Sequence, residues 1–179
     1  MLDFIKNACL ASALYVAAFA ISMPASNWIA DVGSIEFANE AQLIFLPHGV
    51  RVLTAWLFGF TAAPMLLPGV CLAFLSITGI DGFSLSHFFA AVLQVSIAPA
   101  LFLALGAIGF PLGGKGGGRV SWIGVVLIGL IASVLTSSST NFALGFNPED
   151  FAAYIIGDMS GLFLSMFGLL AFFRLRRRF

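Results

Sequence analysis

The sequence predicts an all-α protein, a polytopic membrane helix bundle of about six transmembrane helices forming a single domain over residues 1–179. Two observations carry this. Of 179 residues, 60% are hydrophobic and 9% are charged, where soluble domains carry about 25% charged residues. The mean hydropathy is +1.06, and a hydrocarbon core ~30 Å thick takes about 20 apolar residues per helix, so a chain of this length has room for five or six spans. A third observation is negative. Segments of alternating polar and apolar residues, the mark of a membrane β-barrel, are absent.

The first span runs from Phe4 to Met23, with Lys6 before the apolar run. A cleaved signal peptide is its rival reading, because Pro24-Ala25-Ser26 follows. Residues 24–40 form a loop, in which Trp28, Ile29, Val32, Ile35 and Phe37 suit a short interfacial helix. The second span, residues 41–60, is expected to break near Pro47, since proline removes a backbone donor and Gly49 loosens the chain. A hinge at Thr61-Ala62-Ala63-Pro64 leads to a third span, Pro64 to Gly79, which carries its own Pro68-Gly69 pair. Two successive segments interrupted by Pro and Gly resemble the broken helices that build midplane sites, although bilayer helices tolerate both residues. The fourth span covers Ser86 to Gly106, with His87 near its start as an interfacial residue. Residues 110–119 read as a basic, glycine-rich linker rather than a phosphate loop, for the P-loop pattern is missing. The fifth span opens at Val120 and turns polar at Thr136-Ser137-Ser138-Ser139-Thr140-Asn141; the sixth is Phe151 to Phe173.

Charge sorts cleanly between the two faces. Lys6, Lys115, Arg119 and the tail arginines Arg174, Arg176, Arg177 and Arg178 fall on one side, and Asp31, Glu36, Glu40, Asp81, Glu149 and Asp150 on the other. The positive-inside rule then places the N- and C-termini in the cytoplasm. Nucleic acid is not an expected partner of so short a basic run beside a membrane, and anionic lipid is a minor one. Cys9 and Cys71 have no metal spacing and are expected as small core hydrophobes. No cofactor, metal site or catalytic arrangement is expected, since neither the hydroxyl run nor His48 and His87 meets a paired base or ligand pattern.

Arg51 and Asp158 remain within spans. An arginine at a span's centre costs ~2.5–3.5 kcal/mol on insertion scales and needs a partner or a wet cavity. At 1.5 Å per residue, Arg51 lies ~15 Å and Asp158 ~12 Å from the same membrane face. An ion pair between them is expected. His48, Gln94, Thr136, Ser137 and Asn141 fall at similar or shallower depth, while Gly157, Ser160 and Gly161 allow close packing beside Asp158. These residues sketch a binding site, open toward the outside and closed on the inside by Trp56, Phe58 and Phe60. A structural clasp without ligand, a small-ligand site, and a proton or ion path using Asp158 and His48 all remain open at this point.

Leu46-Pro47-His48-Gly49-Val50, then Trp56-Leu57-Phe58-Gly59, Leu67-Pro68-Gly69 and Gly157-Asp158-Met159-Ser160-Gly161 resemble motifs of the membrane-associated sensor (MASE-type) domains of bacterial signalling proteins. The resemblance covers residues 45–75 and 154–164. It makes Pro47, Gly49, Gly157, Asp158 and Gly161 motif positions, whereas His48 and Arg51 stand where that family has small or apolar residues. It implies a bacterial inner-membrane protein that senses a ligand or binds a partner, without a fused output domain. The expected function is a stand-alone, sensor-like or small-ligand-binding module, not an enzyme, acting in the bilayer with a protein partner. A transporter subunit and a structural subunit or assembly factor are the alternatives.

Overall fold

A computed structural model describes residues 2–33, 43–110, 122–144 and 151–176. These form six helices: α1 (Leu2–Gly33), α2 (Leu46–Phe58), α3 (Ala62–Gly82), α4 (Leu85–Ala107), α5 (Trp122–Leu144) and α6 (Phe151–Arg176), with a 3-10 turn, Gly59–Thr61, between α2 and α3. No strand occurs among the described residues. Five segments are long and apolar enough to cross a membrane, namely Leu2–Trp28, Leu46–Gly82, Leu85–Ala107, Trp122–Thr140 and Phe151–Arg176. The protein is a multi-pass membrane helix bundle.

Polarity is arranged accordingly. Leu10, Leu14, Leu72, Leu103, Phe163 and Phe167 are exposed on the outside, while Ser22, His48, Arg51, Ser133 and Asp158 are buried. A large apolar exterior is untenable in water and expected against lipid.

Helix α2 is the hub: it packs against each of the other five helices. Eight of its 13 residues are buried, including the consecutive run Arg51–Ala55. A helix buried all round has no lipid-facing stripe. At 13 residues it reaches ~20 Å, short of a ~30 Å core, and the apolar run continues through the 3-10 turn into α3.

Several expectations are corrected here. The second helix is not broken at Pro47; it begins there, with Pro47 in the first turn, where its missing N–H would have had no helical partner. The first helix does not end at Met23 but continues through Pro24 to Gly33, so the first part of the expected loop is helical, and its residues 34–40 lie outside the described residues. The hinge begins two residues earlier than expected, at Gly59, whose φ of +62° suits glycine. The polar run of the fifth span stays helical to Leu144. Cys9 is exposed on the apolar exterior rather than in the core. Residues 111–121, with most of the glycine-rich linker, lie outside the described residues.

The approach to α2 explains how irregular backbone is tolerated inside the bundle. Residues 43–45 are not helical, yet every backbone polar group from the Leu43 carbonyl to the Leu46 carbonyl has a partner. Ser160 on α6 donates to Leu43 O. Ser26 on α1 donates to Ile44 O and accepts from Ile44 N. Phe45 N donates to Gly157 O at 2.9 Å, and Phe45 O accepts from His48 N at 3.2 Å. Leu46 N donates to Ser22 Oγ at 2.9 Å and Leu46 O accepts from Ser165. Non-helical backbone survives at membrane depth when protein satisfies it in this way.

Glycine makes the close approach possible. A Cβ on Gly161 would collide with the Phe45 carbonyl, and one on Gly49 with the Ser165 side chain and the Gly161 carbonyl. The α1–α3 contact uses a related device. Ser12 Oγ donates to Met65 O at 2.8 Å and accepts from Gly69 N at 3.2 Å. Those two backbone groups are an i→i−4 pair beside Pro68, so the hydroxyl bridges the ladder where the proline disturbs it.

Candidate functional site

The first turns of α2 carry His48 and Arg51 into the centre of the bundle. Three residues apart, they share one helix face. His48 is 1%, Arg51 3% and Asp158 6% exposed, so all three are sealed from bulk water. Asp158 Oδ2 lies 3.3 Å from His48 Nδ1. Asp158 Oδ1 lies 3.9 Å from Arg51 Nη2, within ion-pair range and beyond hydrogen-bond reach.

The remaining bonds run outward to α4 and α5. Arg51 Nη1 donates to Gln94 Oε1 at 3.2 Å, and Gln94 Nε2 donates onward to Thr140 Oγ1 at 3.3 Å. Arg51 Nη2 lies 3.3 Å from His48 Nδ1, and His48 Nε2 lies 3.1 Å from Gly129 O on α5. The Phe45 ring covers the guanidinium, its centroid 5.8 Å from Cζ.

In a neutral imidazole these partners select one tautomer. A carbonyl only accepts, so Nε2 carries the hydrogen facing Gly129 O. A guanidinium only donates, so Nδ1 accepts from Arg51. With that tautomer, Nδ1 meets Asp158 Oδ2 lone pair to lone pair at 3.3 Å unless a proton sits between them.

Arginine presents five N–H donors. Here one reaches Gln94 and one His48, while Nε is buried with no hydrogen-bond partner among the described residues. Asp158 does not fill the gap, because its nearer oxygen stands 3.9 Å from Nη2. The centre is therefore short of acceptors, an arrangement that costs about 1–3 kcal/mol per unmet buried donor, more for a charged group.

Comparison with protein-family models, curated proteins and solved structures finds no match to this chain. The functional reading accordingly stands on this geometry.

Of the residues singled out in the sequence, Arg51, Asp158, His48 and Gln94 come together. Thr136 is buried and Ser137 half-buried on α5, but neither bonds to Arg51 among the described residues; Thr140, one turn beyond Thr136, makes the link instead. The side chain of Asn141 lies outside what is described. Gly157 and Gly161 are buried beside Asp158, the first through its carbonyl bond to Phe45. Phe58 and Phe60 do not close the site; they are 37% and 57% exposed on the exterior. His87 instead caps α4, accepting at Nδ1 from Ser84 N.

Sequence reasoning missed the Gly129 carbonyl, the ring of Phe45, and Tyr15 of α1, which is 2% exposed and within electrostatic reach of Arg51 and Asp158. Phe45 carries a usable signal, since it immediately precedes a proline-started helix. A main-chain carbonyl carries none.

Proposed function

We propose that this protein is a sensor-like, small-ligand-binding membrane module whose binding centre is Arg51, with Asp158, His48 and Gln94 around it. It acts through a protein partner and performs no chemistry of its own. One observation supports this most directly: a buried guanidinium whose Nε has no partner among the described residues. A charge kept only for structure gains from saturating its donors, because a buried ion pair stabilises only with good geometry and full hydrogen bonding. In this reading the chain crosses a bacterial inner membrane six times with both termini in the cytoplasm, an orientation the loop charges favour, which sets the site toward the outer face.

The test uses the pair-removed variant Arg51→Met/Asp158→Leu beside wild type, each purified in detergent. Both are screened by thermal unfolding against small anions, cations and neutral polar molecules, and by mass spectrometry of co-purifying proteins. The proposal expects a stabilising ligand for wild type that the double variant, still folded, no longer binds. A double variant that keeps the same ligands and partners would overturn it.

A second reading, a ligand-free structural clasp, draws on how deeply the three groups are sealed. It expects the double variant to be as stable as wild type and to differ in no other readout. Transporter-subunit and assembly roles remain the alternatives for what the partner does.

A further inference from the structure

Resting on the reading of Arg51 as a binding centre, we propose that its ligand is a small monocarboxylate, bound together with one proton that settles between Asp158 and His48. Charges and bonds both have to balance in a sealed volume. Empty, the centre holds Arg51 as a cation and Asp158 as an anion, with no net charge. A monoanion added alone would leave one uncompensated negative charge among buried residues, and a proton added alone one positive charge. Both are strongly disfavoured away from water. Taken up together they cancel: the proton neutralises Asp158, and the incoming carboxylate replaces it as the counter-ion of Arg51. A doubly charged anion would not balance, which selects the monoanion.

The bonding rearranges consistently. The proton comes from bulk water and is held on Asp158 Oδ2, which then donates to His48 Nδ1 across the present 3.3 Å. That turns the lone-pair contact into a hydrogen bond and takes the acceptor now shared with Arg51 Nη2. Nη2 is released beside Nε, which already lacks a partner. Nε and Nη2 form the side-on edge of a guanidinium, which a carboxylate bridges with two parallel bonds. Nη1 stays on Gln94 and Nε2 on Gly129 O, so Arg51 and His48 keep their orientation. No covalent bond forms or breaks other than those to the proton.

The other ionisable groups around the centre leave this balance intact. Tyr15 approaches from α1. Tyr154 lies one turn before Asp158 on α6 and has an interaction of its own. Helix α4 offers neutral Gln94, with His87 near its start capping the helix. The segment α5 has no charged side chain, the charged residue of α3, Asp81, is exposed near its end, and Arg174 and Arg176 sit in the last turn of α6.

The experiment measures binding of acetate, lactate and benzoate to the full-length protein in nanodiscs, by isothermal titration calorimetry from mildly acid to mildly alkaline pH. Wild type is expected to bind at least one of them, with affinity rising about tenfold per unit fall in pH, the signature of one proton per anion. Asp158→Asn, permanently neutral, is expected to bind with no pH dependence; Arg51→Gln is expected not to bind while retaining a cooperative melt. Binding by wild type that ignores pH, or no monocarboxylate binding at any pH, would overturn the proposal. If a cation or neutral molecule then binds in an Arg51-dependent way, the small-ligand reading survives without this inference. If nothing does, both fall.

Discussion

Two neighbouring stretches of the passage into α2 handle buried polarity in opposite ways. In the approach, Leu43 to Leu46, each backbone donor and acceptor from one carbonyl to the next is matched, largely by serines of α1 and α6. Five residues on, Arg51 keeps Nε unmatched and its counter-ion at 3.9 Å. The first stretch is neutral and saturated, as a structural element in a membrane has to be. The second is charged and left open. Burial alone does not separate the two; saturation does. The approach exists to place α2, and α2 exists to hold an arginine that the bundle has not satisfied.

The sharpest way to break this comparison is to remove one charge. Arg51→Met should cost about 3–5 kcal/mol, because it strands Asp158 without its counter-ion. Adding Asp158→Leu should recover most of that loss, and reversible unfolding of both variants in mixed detergent checks it. A double-variant loss equal to the sum of the Arg51→Met and Asp158→Leu losses would mean the charges do not interact. Next in size is the close approach. Gly161→Ala drives a Cβ into the Phe45 carbonyl and should cost about 1–3 kcal/mol as overpacking, read in the same unfolding assay. Ser22→Ala removes the acceptor of Leu46 N–H and should cost ~1 kcal/mol, on the scale of a lost helix cap. It should raise hydrogen exchange at Leu46 and leave any Arg51-dependent binding in place, which is how the structural stretch is told from the functional one. Smallest is Gln94→Leu, expected to cost ~0.5–1.5 kcal/mol in stability. It should weaken ligand binding more than it weakens the fold, since it lets the guanidinium turn.

Much of this was legible in the sequence, and the residues show why. Stretches such as 86–106 and 151–173 are uniformly apolar, and the helices α4 and α6 fall within a few residues of them. Arg51 and Asp158 could be paired from depth alone, because few residues of a span afford a formal charge. What escaped depended on context. Pro24 and Pro47 are the same residue type, yet one lies inside a helix and the other begins one. The difference lies in Ser22 and Ser26, whose hydroxyls hold the incoming chain from another helix. Thr136 and Thr140 lie on one helix face, and only the register of α5 against α4 decides which meets Gln94. That His48 would stand between the two charges follows from a 3.1 Å contact to a glycine carbonyl, and a Cβ at Gly129 would displace the end of the Leu162 side chain.

The central claim is that Arg51 is held for a guest whose arrival changes the proton on Asp158. Infrared difference spectroscopy of the protein in lipid, with and without the monocarboxylate that stabilises it best, tests this directly. A protonated carboxyl C=O band should appear on binding, with loss of the matching carboxylate band, and both changes should vanish in Asp158→Asn. A ligand that binds with no change in either band would contradict the account.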